Sequence, residues 1–216
     1  MHMQVDIDVG ALESELRRNL RGEVRFDDSD RALYSTDSSN YRQIPIGVVI
    51  PRDRSDVIAT VAACRKFGAP ITCRGGGTSL AGQCCNVAVV IDFSKYMNHV
   101  LGIDAENKLI RVEPGIVLDE LQKRAKKHGL VFGPDPATHS HCAIGGMLGN
   151  NSCGVHSVMC CSDNVRELEV LLYNGTIMRV GKTNDAELAQ ITASAAVADA
   201  WRFTESFSIF AINMAS

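Results

Sequence analysis

The sequence lacks a long apolar run and an excess of basic residues, and both absences narrow its function. No stretch of the 216 residues is apolar over the length that a bilayer-spanning helix requires. With 22 Lys and Arg against 25 Asp and Glu, the net charge of −3 gives no electrostatic basis for binding nucleic acid or an anionic membrane. Residues 1–6 are too polar for a signal peptide, so we expect a cytoplasmic protein without a transmembrane segment.

Cysteine pairs with Cys-x-x-Cys spacing are also missing, although the chain has eight cysteines. The doublets Cys84-Cys85 and Cys160-Cys161 are poor disulfide partners, which favours reduced thiols. His139, His141 and Cys142 come nearest to a clustered ligand set, but neighbouring loop side chains usually point apart and no fourth ligand is evident. We therefore expect no metal site.

The most distinctive stretch is Arg74-Gly75-Gly76-Gly77-Thr78-Ser79, which lies between two apolar, strand-like runs. Three consecutive glycines tolerate positive φ, so successive N–H groups can converge on one anion. Arg74 adds a permanently charged, forked donor, and the two hydroxyl side chains add further donors. The alternative is a plain flexible connection, because glycine clusters are common in loops. With 45% hydrophobic content around it, the chain can bury the core of one large domain or two small lobes.

Apolar periodicity predicts the elements around this stretch. Residues 21–43 are expected to be irregular, Ser55 to cap the second helix, and Gly68 to end it. Asn174-Gly175 is expected to form a type I′ hairpin turn. The predicted helices cover residues 9–20, 55–67 and 117–128, and the predicted strands cover 47–50, 70–73, 87–92, 109–112, 165–173 and 176–180. An alanine-rich helix is expected up to about residue 200, and residues 203–214 show no clear period.

Common nucleotide and hydrolase motifs do not fit the glycine stretch. A P-loop requires Lys and then Ser or Thr after its second glycine, but Gln83 and Cys84 follow Gly82. The dinucleotide fingerprint Gly-x-Gly-x-x-Gly would require glycine at the position of Leu80, and a strand follows where that fold has a helix. Ser79 is not in a Gly-x-Ser-x-Gly frame, which excludes a hydrolase elbow.

Several separated motifs occur together in one order: the glycine stretch between two strands, Pro134-Asp135-Pro136, Gly145-Gly146 with Asn150 and Ser152, and Asp163-Asn164-Val165 before the hairpin. Over residues 40–182, this order resembles the FAD-binding domain (PCMH-type) of the vanillyl-alcohol oxidase / p-cresol methylhydroxylase flavoproteins. Within that family it is most similar to the FAD-linked glycolate oxidase, D-lactate dehydrogenase and D-2-hydroxyglutarate dehydrogenase group.

The resemblance implies an α+β fold, a two-lobed FAD-binding domain with FAD extended between its lobes. Residues 1–216 would be one such domain, with a small βαββ lobe over about 40–92, a mixed or antiparallel sheet lobe with helices over about 93–182, and a tail, 183–216, of unclear role. In that family, the glycine loop holds the pyrophosphate and the later motifs line the flavin. The implied cofactor-binding residues are Arg74, Gly75, Gly76, Gly77, Thr78, Ser79, Gln83, Pro134, Asp135, Thr138, Gly145, Gly146, Asn150, Ser152 and Gly154.

The resemblance also implies an enzyme, an FAD-dependent oxidoreductase that passes a hydride from a 2-hydroxy acid, a small-molecule substrate, to flavin N5. Some relatives tether FAD through a histidine where this chain has Thr78, so we expect non-covalent FAD. The family's C-terminal substrate domain is missing here, so this chain alone is expected to be inactive if it is the FAD domain of a longer enzyme. No catalytic base is assigned, since His139, His141 and His156 are better explained as ordinary loop histidines, and no electron acceptor is assigned.

The alternatives to a 2-hydroxy-acid oxidoreductase are a sugar or alcohol oxidase, an enolpyruvyl-UDP-sugar reductase, or a non-catalytic flavin-binding fragment. For Gly145 and Gly146 the alternative is a tight packing contact, and for Asn150 and Ser152 it is a helix cap or turn.

Overall fold

The computed structural model describes residues 7–157, 159–181, 184–193 and 207–215. The chain divides into two compact units, Met1–Met97 and Asn98–Ser216, and each combines helices with its own sheet. This mixture confirms the α+β fold expected from the sequence. In the part of the chain that is described, no helix has both the length and the hydrophobicity to cross a bilayer.

The first unit is built on a four-stranded sheet in the order β1-β2-β4-β3. Strand β1 runs antiparallel to β2, whereas β2, β4 and β3 are parallel. Every residue of β2 and β4 is buried, as expected for strands covered on both faces. The elements are α1 Val9–Asn19, β1 Glu23–Arg25, α2 Asp28–Leu33, β2 Gly47–Ile50, α3 Arg54–Phe67, β3 Ile71–Arg74 and β4 Val89–Asp92.

Three details of the first unit differ from the sequence-based expectation. Residues 21–43 are not uniformly irregular, because they contain β1 and α2. Helix α3 is capped by Asp53 and not by Ser55, since the Asp53 carboxylate accepts hydrogen bonds from the N–H groups of Ser55 and Asp56. Strand β3 extends through Arg74, one residue further than predicted. Gly68 ends α3 in the left-handed conformation, as expected.

The second unit is built on a five-stranded antiparallel sheet in the order β5-β6-β9-β7-β8. Helices α4 and α5 contribute Leu118, Leu121, Ile144 and Met147 to its buried core. The tail, in which residues 203–214 show no clear period, supplies β9 between β6 and β7. The elements are β5 Val100–Asp104, β6 Leu109–Val112, α4 Leu118–Lys126, α5 Ile144–Gly149, a short 3-10 helix Cys161–Asn164, β7 Val165–Leu172, β8 Ile177–Gly181, α6 Asp185–Ala193 and β9 Phe207–Ala215.

The predicted hairpin is confirmed, but its turn type is wrong. The Gly175 N–H donates to the Leu172 carbonyl (2.9 Å), and the Leu172 N–H donates to the Thr176 carbonyl (2.9 Å). Gly175 has φ of 89°, whereas Asn174 is not among the positive-φ residues of the described chain. The connection is therefore a three-residue loop in which only the glycine needs the left-handed region. The Asn174 side-chain oxygen accepts the Thr176 N–H (2.9 Å), which favours this longer loop.

Candidate functional site

The glycine loop of the first unit begins at the carboxyl end of β3, where Arg74 is paired in register with Asp92 of β4. Gly77 has φ of 64°, a conformation that glycine adopts without strain. The Arg74 guanidinium folds back over this residue, because a Cβ placed on Gly77 would lie 2.6 Å from Arg74 Nη2. The positive charge of Arg74 therefore lies directly over the glycine backbone.

The N–H groups of this loop fit an anion. Within the described residues, the backbone N–H groups of Gly75, Gly76, Gly77 and Thr78 donate no hydrogen bond. Gly77 is buried, whereas Gly76 before it is exposed and Thr78 after it is partly exposed to solvent. A buried N–H group normally has a partner, so this backbone is suited to a bound phosphate.

Ser79 and Gln83 shape the loop through each other. The Ser79 hydroxyl donates to Gln83 Oε1 and accepts from the N–H groups of Ala81 (3.4 Å) and Gln83 (3.3 Å). Ser79 is buried and Gln83 is exposed. Both residues were predicted to lie at the pyrophosphate. In the structure Gln83 lies nearer to solvent, and Ser79 is buried within the turn.

Tyr34, which sequence reasoning missed, holds Arg74 in place. The Arg74 Cζ atom lies 5.3 Å from the centroid of the Tyr34 ring, and Arg74 Nη1 is 3.5 Å from the Tyr34 carbonyl oxygen. The Tyr34 hydroxyl donates to Asp92 Oδ2 (2.7 Å). Burial, followed by the hydrogen bond to Asp92, raises the pKa of the Tyr34 hydroxyl, which therefore remains a donor at neutral pH.

The segment after Tyr34 packs against the same loop. The Ser38 N–H donates to the Gly77 carbonyl (3.1 Å), and Asp37 Oδ2 accepts the Cys84 N–H (3.4 Å). Although burial opposes it, hydrogen bonds from Ser39 and Cys84 lower the pKa of Asp37, which keeps this carboxylate charged. A Cβ on Gly82 would lie 2.7 Å from the Tyr41 ring. Residues 34–41 therefore support the glycine loop along its length.

In the second unit, the predicted residues before α5 form a compact turn. Pro134 is buried, and Asp135 and Thr138 are half-buried. The Asp135 N–H donates to Ser157 Oγ (2.6 Å), and the Thr138 carbonyl accepts the N–H groups of residues 141 (2.8 Å) and 142 (2.9 Å). Ser157 was not predicted from the sequence, and it ties this turn to the segment after α5.

The two glycines of α5 have different surroundings. The Gly145 N–H donates to the Pro114 carbonyl (2.8 Å), and a Cβ on Gly145 would lie 2.8 Å from Pro114 Cβ. Around Gly146, by contrast, a Cβ would meet nothing within 4 Å. Gly145 is thus engaged in a packing contact, whereas Gly146 presents open space in which a ligand could approach the backbone.

Asn150 and Ser152 lie where α5 ends. Asn150 is the C-cap, and Asn151 follows in the left-handed conformation (φ 47°). The Asn151 N–H donates to the Leu148 carbonyl (3.0 Å) and the Ser152 N–H to the Met147 carbonyl (2.7 Å), which is a Schellman termination. Their backbone groups therefore serve the helix end.

Gly154 permits the closest approach in this unit. A Cβ at this position would lie 1.9 Å from the Asp135 carbonyl oxygen, so only glycine fits. Asp135 and Gly154, which are far apart in sequence, are therefore in direct contact. Together with Ser157, they join two of the predicted flavin-lining segments within the second unit.

The histidines and Cys142 do not converge. His139 Nδ1 lies 2.8 Å from Asp119 Oδ1, His141 Nδ1 lies 2.8 Å from Ser140 Oγ, and His156 Nδ1 lies 3.5 Å from Asp135 Oδ2. Burial raises the pKa of the Cys142 thiol. Among residues whose placement is described, no group of three or more potential ligands is arranged to hold a metal ion.

These features define an α+β domain whose glycine loop is suited to an anion. A sequence profile of the FAD binding domain matches residues 45–181, and the chain therefore belongs to that family. This confirms the resemblance found in the sequence and FAD as the cofactor of the family.

Two relatives show the closer kinship. The chain is 34% identical over 191 residues to D-2-hydroxyglutarate dehydrogenase from Pseudomonas putida, a match that covers 85% of this chain and 19% of the relative. It is 35% identical over 167 residues to glycolate oxidase subunit GlcD from Bacillus subtilis, covering 74% of this chain and 35% of the relative. The chain thus spans between a fifth and about a third of the length of these relatives.

A solved structure shows the same fold. Alkyldihydroxyacetonephosphate synthase superposes with a TM-score of 0.75 at 21% identity, over 95% of this chain and 43% of that protein. At this identity the likeness concerns the fold alone.

Proposed function

We propose that this chain is the FAD-binding part of a flavin-dependent oxidoreductase that oxidises a 2-hydroxy acid, such as D-2-hydroxyglutarate, glycolate or D-lactate. The observation that carries the proposal is its kinship to two relatives whose names both specify 2-hydroxy acids. When bound, FAD supplies the acceptor for a hydride from the substrate α-carbon. The chain covers 19% of the first relative, so the groups that orient the substrate are expected in further sequence of the intact enzyme.

In this proposal the first unit binds the pyrophosphate. Arg74 supplies the charge, and the N–H groups of residues 75–78 supply directional donors. Tyr34 and the segment that follows it fix the arginine and the loop before the ligand binds, which reduces the entropy lost on binding. Gln83 lies at the solvent side of the same loop.

The second unit binds the flavin and ribityl part. Gly146 is the glycine of α5 with space for close approach. We assign Pro134, Asp135, Thr138 and Gly154 to the same part of the cofactor, and Gly154 packs directly against Asp135. Asn150, Ser152 and Gly145 contribute mainly by fixing the ends and packing of α5. Thr78 offers no ring nitrogen for a covalent link, so FAD is held non-covalently.

The alternative is a flavin domain of another reaction, or a flavin-binding module without turnover. It is supported by the short coverage of the relatives. Bleaching of the oxidised flavin by D-2-hydroxy acids, measured on the intact protein, separates the possibilities. Bleaching by sugars or alcohols alone, or by none of these compounds, would contradict the 2-hydroxy-acid proposal. We include a cytoplasmic location in the proposal because none of the eight cysteines, all of which lie in the described residues, forms a disulfide in the structure.

The pyrophosphate assignment is tested by Arg74→Ala in an FAD titration. Removing a charged hydrogen-bonding partner should weaken binding by roughly 1.5–3 kcal/mol per bond, or about ten- to a hundred-fold. Arg74→Lys should recover part of this loss, since lysine keeps the charge but not the fork. Arg124→Ala, on the exposed side of α4, is the matched control and should leave the affinity unchanged.

Unchanged FAD affinity in Arg74→Ala would contradict the assignment. Denaturation supplies a second test, because non-covalent FAD should separate fully from the unfolded chain. Flavin that remains with the unfolded chain would show that a covalent link exists.

A further inference from the structure

Cys153 and Cys160 lie next to each other in the second unit, on the segment that follows α5. Interaction with the Cys153 side chain contributes, after desolvation, to the raised pKa of the Cys160 thiol. The backbone around them is held together, because the Cys161 N–H donates to the Ser152 carbonyl (3.1 Å) and the Ser162 N–H donates to Asn151 Oδ1 (2.9 Å). Hydrogen bonds of the backbone therefore hold the two cysteine-bearing segments next to each other.

The register of these bonds suits a disulfide. Cys160 and Cys153 each stand one residue from this hydrogen-bonded pair, Cys160 before Cys161 and Cys153 after Ser152. A disulfide joins residues whose Cα atoms are about 4.4–6.8 Å apart, a separation that residues next to a hydrogen-bonded pair can reach. Cys160 has an extended backbone (φ −75°, ψ 171°), as this arrangement requires.

Accessibility distinguishes the pair from the cysteines beside it. Cys153 is exposed and Cys160 is half-buried, whereas Cys142 and Cys161 are buried. Burial raises the pKa of Cys161 to about 12, so this thiol is unreactive at neutral pH. Partial desolvation and the contact with Cys153 also raise the pKa of Cys160. An oxidant therefore meets Cys153 first, and Cys160 is placed to react second.

We propose that Cys153 and Cys160 form a reversible disulfide when the protein meets a low-molecular-weight disulfide such as oxidised glutathione. The Cys153 thiolate attacks one sulfur of the oxidant, whose S–S bond breaks and releases one glutathione thiolate. Cys160 then loses its proton to solvent and attacks the Cys153 sulfur, which releases the second glutathione. The protein loses two electrons and two protons, and the oxidant is reduced to two thiols.

The cross-link would act on the proposed flavin segment, and this consequence rests on the proposed function. The disulfide would close a loop that contains Gly154 and Ser157, and these residues contact Asp135. Tying the ends of the loop restricts its opening. We therefore expect FAD to dissociate several-fold more slowly from the oxidised protein than from the reduced protein.

The experiment treats the chain, with and without added FAD, with buffers of increasing ratio of oxidised to reduced glutathione, and maps peptides without reduction. We expect the loss of two hydrogen atoms and a peptide that links Cys153 to Cys160. Cys153→Ser and Cys160→Ser should each abolish this peptide, and Cys84→Ser, which removes a half-buried thiol of the first unit, should retain it.

Two results would overturn the proposed site: glutathione that remains attached to Cys153 while Cys160 stays free, or a disulfide that fragmentation assigns to the Cys161 sulfur and that persists in Cys160→Ser. Both readouts are independent of FAD, so failure of the protein to bind FAD would contradict the proposed function and leave this test intact. A cross-link that leaves the FAD release rate unchanged would overturn the coupling to the flavin segment.

Discussion

The glycine loop of the first unit and the Gly145–Gly154 region of the second unit use the same residue for different physical reasons. Gly77 has positive φ, and its backbone lies beneath the Arg74 guanidinium. Gly145 and Gly154 instead remove a Cβ so that Pro114 and Asp135 can pack against the backbone. Under the proposed function, glycine therefore serves binding directly in the first region, whereas it serves packing in the second.

Because of this difference, substitutions in the two regions should act differently on the stability of the fold and on its affinity for FAD. Substitutions at Gly77 should change FAD binding more than folding, because the atoms nearest to its Cβ position belong to the end of the flexible Arg74 side chain. Substitutions in the second region should change folding first, because another backbone occupies the space of the missing Cβ. Three variants test this separation, in decreasing order of expected effect.

Gly154→Ala should have the largest effect. Its Cβ would lie 1.9 Å from the Asp135 carbonyl oxygen, so the backbone must shift. We expect a loss of about 3 kcal/mol in the free energy of unfolding, at the upper end of overpacking effects. Denaturant unfolding of the FAD-free chain measures this loss.

Gly146→Ala is the control for that variant. Nothing lies within 4 Å of its Cβ position, and alanine favours a helix by up to about 1 kcal/mol over glycine. Its stability should be unchanged or higher, while its FAD affinity should fall if the flavin approaches this residue. Wild-type stability in Gly154→Ala would break the proposed distinction between the two regions.

Gly77→Ala should cause a smaller loss of stability and a larger loss of affinity. Alanine at φ of 64° is strained by about 1–2 kcal/mol, and its Cβ would displace Arg74 Nη2, which lies 2.6 Å away. Gly129→Ala is a matched control, because Gly129 has φ of 69° and nothing within 4 Å of its Cβ position. The two variants should lose similar stability in thermal unfolding, but only Gly77→Ala should bind FAD more weakly in a titration. Equal FAD affinities would refute a role of Gly77 at the phosphate.

Tyr34→Phe should have the smallest effect. It retains the ring beside Arg74 but removes the hydrogen bond to the buried Asp92, a loss of about 1 kcal/mol in stability. FAD affinity should fall less than in Arg74→Ala, because Tyr34 positions the arginine and does not itself carry the charge. Tyr41→Phe, at a residue that is 62% exposed, serves as the control. An affinity loss equal to that of Arg74→Ala would indicate that the Tyr34 hydroxyl contacts FAD directly.

The elements with strong local signals were predicted from the sequence. The apolar runs of β2 and β4 and the leucine spacing of α1 were confirmed, because burial on both faces or on one helical face leaves a direct pattern. The hairpin was also confirmed, whereas its turn type depended on a loop one residue longer than the Asn-Gly pair suggests.

The supports of the site were not predictable, because their partners are distant in sequence. Tyr34 meets Asp92 and Arg74, and Ser38 meets Gly77, through contacts that only the parallel sheet brings about. A polar stretch containing tyrosines carries no periodic signal for such contacts. A helix cap or turn was the stated alternative for Asn150 and Ser152, and the structure confirms it. The Schellman form was not predicted, because Asn151 takes the position of the glycine that usually marks it.

The strand order of the first sheet has a consequence for how this unit folds. Strand β4 is the last of the four strands of this sheet in sequence, yet it lies between β2 and β3, so β2 and β3 are joined only through β4. Pairings between residues as distant as Val48 and Val90 close large loops and slow folding. The glycine loop connects β3 to β4, so both of its ends become fixed in the step in which β4 joins the sheet. We therefore expect the phosphate loop to form late and cooperatively, and the nascent first unit to become competent for FAD only after β4 has left the ribosome.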